Sequence, residues 1–201
     1  MTAITISRQL GSLGDEVAQA IAERLGFRLF SRDVIHQAAL RAGAPEVALA
    51  MIDDLGLLGL RPSAQARQAY HQAVKAVMEE LAEGGKVVIV GRAGQVILRQ
   101  HPGVLHVKVI APAELRAERI AAQQTISLEA ARAQISASDQ ARRNYLRRYY
   151  HARWDDPQLY DIIVNTARLQ PAAAACLVCQ ALAQCLSGPT SECLPPITNL
   201  L

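Results

Sequence analysis

The stretch Ile4-Thr5-Ile6-Ser7-Arg8-Gln9-Leu10-Gly11-Ser12-Leu13-Gly14 constrains the fold of this chain more than any other. It begins as a short alternating β-branched run, which reads as a strand. Two glycines and two serines then interrupt the pattern. Over residues 15–25, Val17, Ala18, Ile21, Ala22 and Leu25 form one helical stripe, and Gly26 stands where a helix-ending glycine belongs. Strand, glycine loop and helix aim several backbone N–H groups and a helix N-terminus at one point, a geometry that binds phosphate. A plain β–α turn is the competing reading. Where Gly11-Ser12-Leu13-Gly14-Asp15-Glu16 is set against the Gly-x-Gly-Lys-x-[Ser/Thr] of a phosphate loop, Leu13 replaces a glycine, Gly14 the lysine, and Glu16 the hydroxyl residue that meets Mg²⁺.

The remaining chain alternates strands with helices. Lys86-Val87-Val88-Ile89-Val90 is a near-continuous apolar run, the mark of a central strand in a parallel sheet. It ends at Gly91-Arg92-Ala93-Gly94 and passes into a short helix over 95–99. Residues 104–110 and 161–166 are further strands, and 27–30 is a short strand or an extended connection. Ser63 caps a long helix that ends near Gly84-Gly85, with Ala66, Tyr70, Ala73, Val74, Val77 and Leu81 on its apolar face. Further helices start at Ala113, cover 127–153 and cover 170–186. Ser31 is an N-cap for a helix over 32–41, followed by a short helix over 46–51 and an apolar loop over 55–62. This order predicts one α/β domain over 1–188, with a mostly parallel central sheet and helices on both faces. Residues 189–201, with three prolines, read as a flexible tail.

Composition narrows the classes. A chain of 201 residues can bury one sizeable core, and 4% aromatic content points away from an all-β protein. No apolar run reaches the length of a membrane span. The N-terminus enters a strand with no basic region and apolar segment before it, so the expectation is a cytoplasmic protein without membrane contact. Of the four cysteines, Cys176 and Cys179 form a C-x-x-C, but in an apolar helix with no second pair nearby. Together with Cys185 and Cys193 they read as small hydrophobes ahead of metal or redox groups.

Charge gathers over 138–153, where Arg142, Arg143, Arg147, Arg148 and Arg153 lie within about three to four helical turns. Arg142, Arg143 and Arg147 are expected to converge on one side, with Asp139 placed three residues before Arg142 to neutralise them. Guanidinium forks bind phosphate bidentately and stay charged. Three readings compete: small-molecule phosphates, a solvated basic face, and nucleic-acid backbone with Tyr145, Tyr149 and Tyr150 interleaved. A net charge of only +3 argues against a dedicated nucleic-acid protein. Arg92, at the end of a central strand, adds a cation where open α/β sheets place ligands.

In chain order these motifs resemble the cytidylate kinase-like family of P-loop proteins, relatives of bacterial cytidylate kinase. The matching stretches are 4–12, Val88-Ile89-Val90-Gly91-Arg92-Ala93-Gly94, 104–119, Asp139-x-x-Arg142 and Trp154-Asp155-Asp156-Pro157-x-x-Tyr160-Asp161-Ile162-Ile163-Val164-Asn165-Thr166. The resemblance implies a three-layer P-loop NTPase-type fold with a helical lid over about 120–153. It implies nucleotide substrates: ATP as donor on Gly11, Ser12, Leu13, Gly14, Asp15 and Glu16, CMP or a related phosphate acceptor over the sheet, and Mg²⁺. Arg92 would hold the acceptor's phosphate, and Arg116 and Arg119 would stand near the donor. Asp139, Arg142 and Arg143 would belong to the lid that closes over the transferring phosphoryl, a set that suits a reaction run by positioning and charge neutralisation. Against the family pattern, Leu13 breaks a Gly-Ser-Gly-Gly loop, and Val90 and Ala93 stand where cytidylate kinase carries aspartates. No metal ligand is identified, and Arg8 is the residue that could supply the missing lysine's charge. The alternative function is a nucleotide-sensing module without chemistry, in the form of a homodimer.

Overall fold

The computed structural model describes residues 2–31, 40–41 and 63–187. The helices expected over 32–41 and 46–51, the loop over 55–62, Cys193 and the tail lie outside the described residues, apart from Leu40 and Arg41.

Five strands form one parallel sheet: β1 (Ala3–Arg8), β2 (Arg28–Phe30), β3 (Val87–Val90), β4 (Val104–Ile110) and β5 (Ile162–Asn165), in the order β2-β3-β1-β4-β5. The strand that reads as a near-continuous apolar run, β3, lies inside the sheet, as burial on both faces requires. Successive side chains point to opposite faces. Ile4, Ile6, Val88, Val90, Leu105, Val107 and Val109 therefore pack with helices α1 (Gly14–Leu25) and α6 (Pro171–Ser187). Ala3, Val87 and Ile89 face the other way and pack under α2 (Ala64–Gly84), whose buried stripe is Tyr70, Val74, Val77 and Met78. The three-layer α/β architecture expected from the sequence is thus present. Cys179 is part of the α6 face, and burial pushes its thiol pKa up.

Two helix ends depart from the sequence reading. The turn after β3 gives only a short α3 (Gly94–Ile97). The long helix expected over 127–153 is α5 (Leu128–Tyr150), closed by His151 in the left-handed conformation, so Arg153 lies outside it. α5 folds back on α4 (Ala113–Gln124) through Ala117, Ile120, Ala131 and Ile135, forming a helical hairpin beyond the sheet. Its far end packs on α2: the His71 ring sits 4.3 Å from Tyr149, which is 5.3 Å from Tyr145. The tyrosines considered as stacking platforms for bases are instead packing residues, and the hydroxyls of Tyr145 and Tyr150 are buried. Among the described residues, no helix is long and apolar enough to cross a membrane.

Candidate active site

β1 and β3 are parallel neighbours, so the loops leaving their carboxyl ends open side by side, where open α/β sheets bind ligands. Both loops turn on left-handed residues. Residues 9–13 contain Gly11 at φ 77° and Leu13 at φ 59°; residues 91–93 are Gly91 at 81°, Arg92 at 55° and Ala93 at 58°. Three of these five carry side chains, and holding each there costs of order 1 kcal/mol. At 13, a leucine holds the left-handed conformation that glycine adopts without strain. Gly11 has no such latitude, because a Cβ there would lie 2.7 Å from the Arg116 carbonyl oxygen.

The first loop is fastened through its carbonyl groups. Leu10 O accepts from Arg116 Nη1 at 3.3 Å, Gly11 O from Arg119 Nη1 at 3.2 Å, and Ser12 O from Thr166 Oγ1 at 2.8 Å. Gln9 adds a side-chain link, its Oε1 accepting from Ala111 N at 3.1 Å. With the carbonyls occupied on the α4 and β5 side, and with no side chain capping α1, the first-turn amides of α1 remain as donors. An uncapped helix N-terminus of this kind binds anions.

A cavity of about 570 Å³ lies over both turns, lined by Arg8, Arg92, Arg119 and Arg142 with Gly11, Leu13, Gly14, Asp15, Glu16, Gln95 and Trp154. Most of the expected site residues therefore share one space. Four do not line it. Ser12 is buried, its hydroxyl donating to Gln9 O at 2.8 Å and Val109 O at 3.2 Å. Arg116 and Asp139 form a buried two-bond ion pair at 3.3 and 3.0 Å, beneath the loop and not at its mouth. Arg143 reaches Asp155 Oδ2 at 2.8 Å across the Trp154 ring.

Helix geometry explains the scatter of the arginines. At about 100° per residue, Arg143 and Arg147 sit about 100° and 140° around the axis from Arg142, so the three cannot share a face. Arg142 faces the cavity with Ala141, Tyr145 and Leu146, while its guanidinium also reaches Ser138 Oγ. Asp139, expected beside Arg142, answers Arg116 on the neighbouring helix instead.

Ser7 and Trp154, which line the cavity, are held by residues behind them whose part was not foreseen. Trp154 Nε1 donates to Ser7 Oγ at 2.9 Å, and the Tyr160 hydroxyl donates to Trp154 O at 2.8 Å. Lys108, buried on β4, donates to Trp154 O at 2.8 Å and Asp155 Oδ1 at 3.2 Å, with its ammonium 4.5 Å from the Trp154 ring. Burial pulls the Lys108 pKa down, against the pull of Asp155. For Asp155, burial acts upward, but the bonds from Arg143 and Lys108 outweigh it and its pKa is lowered. Asp155 thus ties the end of α5 to the sheet. A polar residue inside the apolar β4 pattern was the trace of Lys108 in the sequence.

Among the described residues, no three His, Cys, Asp or Glu side chains group so as to hold a metal ion. The cavity's carboxylates are Asp15 and Glu16, and Asp15 is bonded to Arg8. These residues do not preform a Mg²⁺ cage.

A parallel sheet of this order, with a glycine loop between β1 and α1 and a helical hairpin beyond the sheet, has the form of an α/β P-loop fold. The sequence profile of the cytidylate kinase-like family matches residues 3–168, and the chain belongs to that family. A cytidylate kinase from Ignicoccus hospitalis is 30% identical over 174 residues, covering 86% of this chain and 94% of that protein. A uronate isomerase from Corynebacterium glutamicum is 25% identical over 139 residues, 69% of this chain, which spans only 26% of that protein's length. Among solved structures, an uncharacterized protein from Eubacterium ventriosum superposes with a TM-score of 0.72 at 20% identity, covering 91% of this chain and 99% of that one. Shikimate kinase from Acinetobacter baumannii does so at 0.53 and 14% identity, covering 91% and 93%.

Proposed function

We propose that this protein transfers a phosphoryl group from ATP to CMP or a related small phosphate acceptor. The observation that carries the reading is the placement of two glycine turns and four arginines around one cavity at the carboxyl ends of adjacent strands. An oxygen of the acceptor's phosphate attacks the γ-phosphorus. As that P–O bond forms, the bond to the β–γ bridging oxygen breaks and ADP leaves with its electrons.

The α1 amides hold the donor's phosphates, and Arg119, fixed by its bonds to Gly11 O and Thr166, stands beside them. Arg92 holds the acceptor's phosphate. Arg142 meets the transferring group from the α4–α5 hairpin, which acts as the lid over about 120–153 and excludes water. Arg116, Asp139 and Arg143 position the loop and the hairpin. Such a reaction asks mainly for positioning and charge neutralisation. Mg²⁺ accompanies the donor's phosphates and supplies further charge neutralisation when bound. We place the reaction in the cytoplasm, where both nucleotides are available.

The test is incubation with ATP, Mg²⁺ and a panel of nucleoside monophosphates, followed by detection of diphosphates. Turnover with at least one acceptor, and its loss in Arg142→Ala, is expected. No product with any acceptor removes the enzyme reading. The replacement of the loop lysine by Gly14 favours one second reading, a nucleotide sensor, compatible with a homodimer. It predicts that nucleotide raises the melting temperature while no product forms.

A further inference from the structure

The phosphate-loop pattern places a lysine at the position of Gly14, and here the space for any side chain is taken. A Cβ on Gly14 would lie 2.3 Å from Arg8 Cβ and 2.7 Å from Arg8 Cγ. The Arg8 stem therefore crosses the first residue of α1, and its guanidinium continues into the cavity. Its Nε donates to Asp15 Oδ1 at 3.0 Å. Its Nη1 lies where a Cβ on Gly91 would come within 3.0 Å. Glycine at 14 and at 91 is what gives this arginine its path from the end of β1, between the α1 N-terminus and the β3 turn.

We propose that Arg8 is the donor-phosphate ligand that replaces the loop lysine, and that Asp15 is its internal counter-ion, displaced when phosphate binds. The identity of the anion, a nucleoside triphosphate, rests on the kinase reading above. A carboxylate oxygen and a phosphate oxygen compete for the same guanidinium fork, which phosphate can engage bidentately. Arg8 is 24% exposed and Asp15 69%, so the pair is at the surface and separates at little cost. Once separated, the Asp15 carboxylate turns to water, while Arg8 keeps its place over Gly14. In the empty site Asp15 therefore weakens phosphate binding, by occupying the cation and by its own charge at the helix N-terminus.

The two partners thus have opposite effects on affinity, which a purely structural ion pair would not show. Calorimetric titration of ATP and of inorganic triphosphate into the full-length protein measures both. Arg8→Gln is expected to weaken both ligands about tenfold or more, as loss of a charge-assisted phosphate contact does. Asp15→Asn is expected to tighten both severalfold. Arg8→Gly with Gly14→Lys, which returns a cation to the loop position, is expected to bind more tightly than Arg8→Gly alone. If the double variant does not fold, the two single variants decide the matter. Wild-type affinity in Arg8→Gln overturns the proposal, as does weakened binding in Asp15→Asn in step with a lowered melting temperature. If the wild type itself binds neither ligand, the kinase reading falls and takes this inference with it; if the wild type binds and Arg8→Gln binds equally, this inference alone falls.

Discussion

Removing the carboxylate of Asp139 reports how the phosphate loop is held in place. Arg116 and Asp139 are 4% and 5% exposed. Asp139→Ala leaves a buried guanidinium with two backbone acceptors, Ala111 O at 3.1 Å and Leu10 O at 3.3 Å. Breaking a buried pair on one side costs about 3–5 kcal/mol, because the partner is left uncompensated. The two surviving carbonyl bonds set the expectation at the lower end, about 3 kcal/mol. For a domain of this size each kcal/mol moves the melting temperature by about 2–4 °C, so a fall of about 6–12 °C follows. Urea unfolding by linear extrapolation gives the free energy, and a thermal scan gives the temperature. Arg116→Met with Asp139→Leu removes both charges and should recover most of the loss. Since Arg116 also holds Leu10 O, Asp139→Ala should weaken ATP binding as well. A destabilisation below about 1 kcal/mol, or a double variant less stable than the single one, refutes the reasoning.

Three further outcomes are expected. Gly14→Ala should destabilise by about 1–3 kcal/mol, because the new methyl meets the Arg8 stem; in an Arg8→Gly background the cost should fall by half or more, and an equal cost in both would place the clash elsewhere. Arg92→Ala should raise the acceptor's KM about tenfold or more with little change in the KM for ATP, since one charge-assisted phosphate contact is lost; steady-state kinetics showing equal rises in both would contradict the assignment. Burial pushes the Tyr160 phenol up to about 12, against the hydrogen bond it shares with Ser7. The unfolded chain releases that proton near pH 10, so folded stability is lost as pH rises from about 10 towards 12. Urea midpoints should fall over that window less steeply in Tyr160→Phe than in the wild type, and identical slopes would exclude Tyr160 as the cause.

Much of the fold was legible because its signals are local. The alternating run of β1, the apolar run of β3, the Ser63 cap and the Gly26 terminator each act within a few residues. The glycine loop and Arg92 were readable for the same reason. The ion pairs were not, because partner choice is set by how elements pack. Asp139 was matched with Arg142 three residues on, whereas the hairpin brings Arg116 to it from 23 residues away. A trace of this lay in the spacing: Ala131, Ile135 and Asp139 fall at i, i+4 and i+8, which puts the carboxylate on the stripe that α5 buries. Lys108 likewise interrupts an apolar strand, but its acceptors at Trp154 and Asp155 arrive only when the segment after α5 crosses the sheet. The convergence of Arg142, Arg143 and Arg147 failed on helix geometry alone, since neighbouring positions look about 100° apart.

The most direct measurement is a ¹⁵N–¹H correlation spectrum of the protein titrated first with ATP and then with CMP. The amides of Leu13, Gly14, Asp15 and Glu16 should move with ATP, and those of Gly91, Arg92 and Gly94 should move on adding the acceptor. Unmoved amides at both turns, in a protein saturated with either nucleotide, would mean that the two turns do not bound a common anion site.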